Sequence, residues 1–160
     1  MDYQETTKLI ETVAEAWGIP PMLLHRIAVV ESNMNTWATR YEPAYRYHHH
    51  MAAAHLRTTP ETEAIHQRTS WGLCQIMGAS ARDFKYREAL PMLCDPAINL
   101  RIACRILADL RDDDKQTPRT WRWTLNAYNH GTGWEFVNPR WEREGYIEQY
   151  QSVLEQLGEI

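Results

Sequence analysis

Two segments of this 160-residue chain are apolar on too many sides to lie on a protein surface. Residues 22–30, MLLHRIAVV, put apolar side chains nearly all round a helix. In residues 97–110, Ile98, Ile102 and Ile106 form one line while Leu100, Ala103, Leu107 and Leu110 form another. Such helices have to be enclosed by other elements. No stretch reaches the ~20 predominantly apolar residues that a bilayer-spanning helix needs, so no stable membrane insertion is expected and the cover must come from the chain itself. A chain of this length can bury one core of useful size and is short for two. The expectation is a single, mostly α-helical domain over residues 1–160 with two central helices.

The remaining signals are helical too. Leu9, Ile10, Val13 and Trp17 recur at spacings of three and four, which predicts an amphipathic helix over 3–17 that stops at Gly18. Thr59-Pro60-Glu61 and Asp95-Pro96 each pair a capping residue with proline at the first helical position. A helix is expected from about Pro118, breaking between Asn129 and Gly133, and a last one over 143–157 with Ile147, Tyr150, Val153, Leu154 and Leu157 on its apolar side. Residues 33–58 read as a loop followed by a short helix over 52–56. No alternating strand pattern of useful length, internal repeat or linker is visible.

Composition excludes several functions. The 17 basic and 21 acidic residues leave a net charge of −4, without the basic excess of a general nucleic-acid binder, so no nucleic-acid partner is expected. The N-terminal MDYQETTKLIETVAEAW lacks the basic and apolar regions of a secretory signal, so synthesis in the cytoplasm without a signal peptide is expected. Cys74, Cys94 and Cys104 are odd in number and lack metal-ligand spacing, which suggests buried, reduced thiols. Consecutive histidines at 48–50 point about 100° apart on a helix and suit a solvated patch better than zinc, so no metal is expected.

Glu31 stands where the usual exposure of carboxylates makes it conspicuous. It follows the apolar run at the expected C-terminus of its helix, where both the negative end of the helix dipole and the apolar surroundings disfavour the carboxylate. A carboxyl group raised in this way can donate a proton near neutral pH, as glycoside cleavage demands. An exposed helix-end glutamate, or an ion pair with Arg26 or Arg40, is the plain alternative.

Three further blocks extend that reading. Glu31-Ser32, Ser70-Trp71-Gly72-Leu73-Cys74-Gln75-Ile76-Met77, Asp95-Pro96 with Asn99-Leu100, and Ala127-Tyr128-Asn129-His130-Gly131 occur in this order. Together, over residues 21–133, they resemble the lytic transglycosylases and their goose-type lysozyme relatives. The resemblance implies a lysozyme-like α-helical domain with a cleft. It implies Glu31 as the catalytic acid and then base, with Ser70, Gly72, Leu73, Cys74, Gln75, Ile76, Tyr128 and Asn129 binding substrate. Tyr128 would hydrogen-bond near Glu31. Two departures stand out. Cys74 replaces the family's methionine, and about thirty extra residues follow Glu31, where many members carry a serine near the position of Arg40. That serine's role would pass to Ser70 or be lost.

What the resemblance implies is a peptidoglycan-cleaving enzyme acting on the β-1,4 bond between N-acetylmuramic acid and N-acetylglucosamine, with glycan strands as partner and no cofactor. Anhydro-sugar formation is the first expectation and hydrolysis the variant, for which Glu42, then Glu61 and Glu63, are the nearest second carboxylates. A non-catalytic saccharide-binding or structural domain is the rival from another class. Of the seven tryptophans and eight tyrosines, Trp37, Trp71, Tyr45 and Trp134 are candidates to stack on sugar rings. A monomer is expected, reaching the wall after release in phage lysis or delivery by a virion or secretion machine.

Overall fold

The structure, a computed structural model, describes residues 1–49, 58–112, 119–130 and 144–159. Helix α1 spans Tyr3–Ala16 and opens with a reciprocal cap. The Glu5 amide donates to Asp2 Oδ1 at 2.8 Å, and the Asp2 amide donates to Glu5 Oε2 at 2.9 Å. Its buried Ile10 and Ala14 face the core, and it packs on α2 and α5. Helix α2, Pro21–Ser32, starts on the proline that supplies a helical φ without needing an amide partner. Leu23, Leu24, Ile27 and Ala28 are fully buried on one face. Asn33 and Met34, at φ 52° and 63°, then turn the chain left-handed, their amides donating to the Val29 and Ala28 carbonyls.

Three short strands follow: β1 (Thr39–Tyr41), β2 (Thr69–Trp71) and β3 (Ile76–Met77). They form an antiparallel sheet in that order, with Arg40 opposite Ser70 and Ser70 opposite Met77. This sheet was not expected, because strands of two or three residues are too short for alternation to register. Helix α3, Pro60–Gln67, begins where Thr59 accepts the Thr62 amide. Helix α4, Gly78–Asp83, follows β3, and a 3-10 turn over Leu90–Cys94 leads into α5, Pro96–Asp112. Asp95 Oδ1 accepts the Ile98 amide at 2.9 Å, the start expected from Asp95-Pro96. The Leu100, Ala103, Leu107 and Leu110 line is buried, whereas Ile98, Ile102 and Ile106 are only half-buried. Helix α5 is therefore enclosed on one side and borders open space on the other.

Helix α6 runs Trp121–His130, and the C-terminal segment is α7 (Glu144–Ile147), a 3-10 turn (Glu148–Tyr150) and α8 (Gln151–Gln156). The expected last helix is thus interrupted by one tighter turn. The short helix expected over 52–56 lies outside the described residues. All three cysteines are free and buried.

Two polar devices lock the sheet side to the helices. Asn99, fully buried in the first turn of α5, accepts the Cys74 amide through Oδ1 at 2.8 Å. Its Nδ2 donates to the Trp71 and Leu93 carbonyls, both at 2.8 Å. Gly72, at φ +69°, is pressed against this amide: a Cβ there would sit 2.5 Å from Asn99 Nδ2. In the second device, Arg82 on α4 has no exposed surface and donates to both oxygens of Glu63 on α3, at 2.8 and 3.1 Å, and to the Tyr86 and Glu88 carbonyls. Burial alone would raise the Glu63 carboxyl, but the hydrogen bonds from Arg82 and Gln67 outweigh it and hold it below its usual range.

Asn99→Ala strands one amide and two carbonyls in the core. It should cost at least about 3 kcal/mol in urea unfolding, and a loss under about 1 kcal/mol would refute the clamp. The depressed Glu63 contributes stability that is complete above its unfolded value of 4.5 and is lost as pH falls through its lower folded value. Acid titration of the unfolding free energy should show that loss, and the double variant Glu63→Leu/Arg82→Met should lack it.

Candidate active site: a cleft around Glu31

A cleft of about 1300 Å³ separates the sheet and α4 from α5 and α6, and Glu31 lies in its wall. The end of α2 contributes Glu31, residues 40–43 with Tyr45, Tyr47 and Ser70 form one side, and Ile106 with Ala127, Tyr128 and Asn129 form the other. Of the half-buried isoleucine line of α5, Ile106 borders this opening.

Glu31 is half-buried, and its Oε1 accepts a hydrogen bond from the Tyr146 hydroxyl at 3.0 Å. Tyr150 in turn donates its hydroxyl to that of Tyr146 at 3.1 Å. Burial raises the Glu31 carboxyl above its ordinary range, while the Tyr146 hydrogen bond and the charge of Arg40 pull the other way without cancelling it. Neither arginine named as an ion-pair partner takes that role. Arg26 Nε donates to the Gln149 carbonyl at 2.6 Å, and Arg40 donates to Glu42 at 2.8 Å. Among the described residues, the half-buried carboxyl group thus has a neutral phenol as its hydrogen-bond donor and feels the charge of Arg40 without an ion pair to it.

Tyr128 stands beside Glu31, but its hydroxyl donates to the Cys74 carbonyl at 2.7 Å. The hydrogen bond expected of Tyr128 is made by Tyr146 instead. Burial drives the phenols of Tyr128 and Tyr146 well above their ordinary range, so both remain protonated donors. The sequence held a signal for Tyr146 and Tyr150: two tyrosines one turn apart on the apolar side of a helix need partners for their hydroxyls once buried.

The other expected site residues divide in two. Ser70, Gln75, Ile76, Tyr128 and Asn129 line the cleft. Gly72, Leu73 and Cys74 are buried in the core beneath it, where Asn99 draws the turn inward, and their side chains do not line the opening. Cys74 therefore sits behind the cleft surface rather than on it. Gln75 adopts a left-handed backbone, φ 48°, and spends both amide hydrogens on the Ala38 and Gly72 carbonyls, at 3.1 and 2.9 Å. Only its Oε1 remains to meet a ligand. Ser70 Oγ makes a long, 3.4 Å contact to Glu42 Oε1.

The segment after β1 walls one end of the cleft. Tyr45 and Tyr47 line it, the Tyr47 hydroxyl donates to Asp83 at 3.0 Å, and His49 Nδ1 lies 2.9 Å from the same carboxylate. Gln67 clasps the backbone of His49 from both sides. Of the other aromatic candidates, Trp71 is core, with its indole donating to the His66 carbonyl, and Trp37 is 76% exposed away from the cleft. Trp134 and the expected break at Gly131 to Gly133 lie outside the described residues. Of the alternative carboxylates, Glu63 is locked to Arg82, Glu61 is exposed outside the cleft, and Glu42 lies in the cleft wall.

A helical domain with a small sheet beside a cleft, and an acid at the end of a helix in the cleft wall, has the architecture of the lysozyme-like α-helical domains. The family model described as Transglycosylase SLT domain matches residues 8–149, and the chain belongs to that family. No curated protein and no solved structure matches the chain.

The balance of fields at Glu31 gives an ordered expectation. Tyr146→Phe should raise the pH at which Glu31 titrates, and Arg40→Ala should raise it by less, because Arg40 is exposed to solvent. Carbon-13 NMR of the glutamate carboxyl groups measures both, and a reversed order would refute this account of the electrostatics.

Proposed function

We propose that this chain is a peptidoglycan lytic transglycosylase cleaving the β-1,4 bond between N-acetylmuramic acid and N-acetylglucosamine, with Glu31 as general acid and then general base. The observation that carries the reading is the placement of Glu31: a carboxyl group in the wall of a long cleft, raised by burial and accepting one phenolic hydrogen bond. With Oε1 accepting from Tyr146, Oε2 is left to hold the proton.

In the first step Glu31 gives its proton to the bridging oxygen as the bond from that oxygen to the anomeric carbon breaks. The electron pair leaves with the oxygen, and the positive charge at the anomeric carbon is met by the substrate's own acetamido oxygen. Glu31, now ionised, removes the proton from the 6-hydroxyl of the same sugar, whose oxygen closes on the anomeric carbon. The product is a 1,6-anhydro sugar, and the acid is regenerated. One protein carboxyl group serves both steps. The Tyr146 hydroxyl can donate to Glu31 in either protonation state.

Hydrolysis is the second reading, and Glu42 favours it. This carboxylate lies in the same cleft, held by Arg40, where it could take a proton from water attacking the anomeric carbon. Glu31→Gln keeps shape and removes the acid. Turnover of purified peptidoglycan should fall by about 10²- to 10⁴-fold while binding of the glycan persists. Retained turnover would remove Glu31 from the mechanism. Mass spectrometry of the products separates the two readings: anhydro ends that persist in Glu42→Gln support transglycosylation, and reducing ends that vanish in it support hydrolysis.

A further inference from the structure

The hydroxyl pair behind Glu31 contains one residue that the proposed reaction does not use directly. Tyr150 is fully buried, lies one turn beyond Tyr146, and packs its ring 5.1 Å from that of Tyr146 at an interplanar angle of 54°. Its hydroxyl donates to the hydroxyl whose own proton goes to Glu31. A phenol has a single proton and two lone pairs, so Tyr146 alone could turn that proton toward Tyr150 as readily as toward the acid. With Tyr150 donating, that direction is closed, and the Tyr146 proton is left to Glu31.

The anchoring supports this order. The 3-10 turn that carries Tyr150 is tied to α2, the helix of Glu31, by Arg26 Nε donating to the Gln149 carbonyl at 2.6 Å. The turn that carries Tyr150 is thereby tied to the helix that carries the acid. Burial also pushes the Tyr150 phenol above its ordinary range, so it remains a donor wherever the enzyme works. Chained hydroxyls polarise one another, so the second donor strengthens the first.

We propose that Tyr150 is a positioning residue for glycan cleavage: by donating to the Tyr146 hydroxyl it fixes the Tyr146 proton on Glu31 and so sets the strength and orientation of the acid. The proposal rests on the role given to Glu31 above. Among the described residues, the groups that face Glu31 are Arg40 from β1, Cys74 from the turn after β2, Tyr128 from α6, and Tyr146 and Tyr150 from the C-terminal segment. Burial raises the thiol of Cys74 and the three phenols, which stay neutral through the neutral range, so the titration that moves there is that of Glu31.

The test uses the full chain on purified peptidoglycan. Tyr150→Phe removes one oxygen from the relay and keeps the ring. It should lower kcat by about 3- to 10-fold, the scale of one hydrogen bond, and move the basic limb of the kcat/KM profile to higher pH, because a weaker Tyr146 donor stabilises the carboxylate less. In a Tyr146→Phe background the same change should have no further effect. 3-Fluorotyrosine introduced at position 150 is a stronger donor of almost the same shape, and it should move the limb the opposite way, which mere packing would not do. It also serves if the phenylalanine variant fails to fold. An unmoved limb in both variants, or losses that multiply across the double variant, would overturn the relay. An active Glu31→Gln enzyme would instead overturn the reading on which it rests.

Discussion

The cleft depends on the three hydrogen bonds of one buried amide. Asn99 holds the Trp71 and Leu93 carbonyls and the Cys74 amide, and thereby draws the turn after β2 against the start of α5. From that fixed turn two further connections run outward. Gln75 reaches back to the Ala38 carbonyl and secures the approach to β1, and the Cys74 carbonyl accepts Tyr128 and secures the end of α6. Both sides of the cleft are therefore registered against a single side chain in the core. Gly72 is required in the same place because its backbone is left-handed and a Cβ would collide with the amide.

Much of this was legible in the sequence, though unevenly. Helices α1, α2 and α5 span two turns or more, and their apolar spacing and caps predict their ends to within about two residues. The sheet left no pattern because its strands are too short. Glu31 was legible for a physical reason, since a carboxylate after an apolar run at a helix end is conspicuous. The turn at 72–74 was less legible: its motif implies contact with substrate, and the structure shows its residues buried against Asn99. Tyr150 reads as an ordinary apolar-face position and Tyr146 is not singled out, because the contact of Tyr146 with Glu31 spans 115 residues of chain and no local periodicity encodes it.

Glu31 and Glu63 show how one side chain serves opposite ends. Glu63 meets the guanidinium of Arg82, whose hydrogen bonds and charge overcome the cost of burial, and it is held as an ion joining α3 to α4. Glu31 also suffers the cost of burial, but its hydrogen-bond donor is a neutral phenol and its arginine neighbour is already engaged with Glu42. Partner chemistry, rather than burial alone, decides which carboxyl group is fixed in one state and which can change state.

The acid-then-base role proposed for Glu31 needs support that neither state monopolises. An arginine in the place of Tyr146 would favour the carboxylate so strongly that the first proton transfer would suffer. A wholly apolar wall would favour the acid and leave the carboxylate formed by that transfer without a donor. A phenol donates to the carbonyl oxygen of the acid and to the same oxygen of the carboxylate without having to turn, and a second phenol behind it keeps that proton aimed. The tyrosine pair at the end of this chain answers the requirement that the apolar run before Glu31 creates.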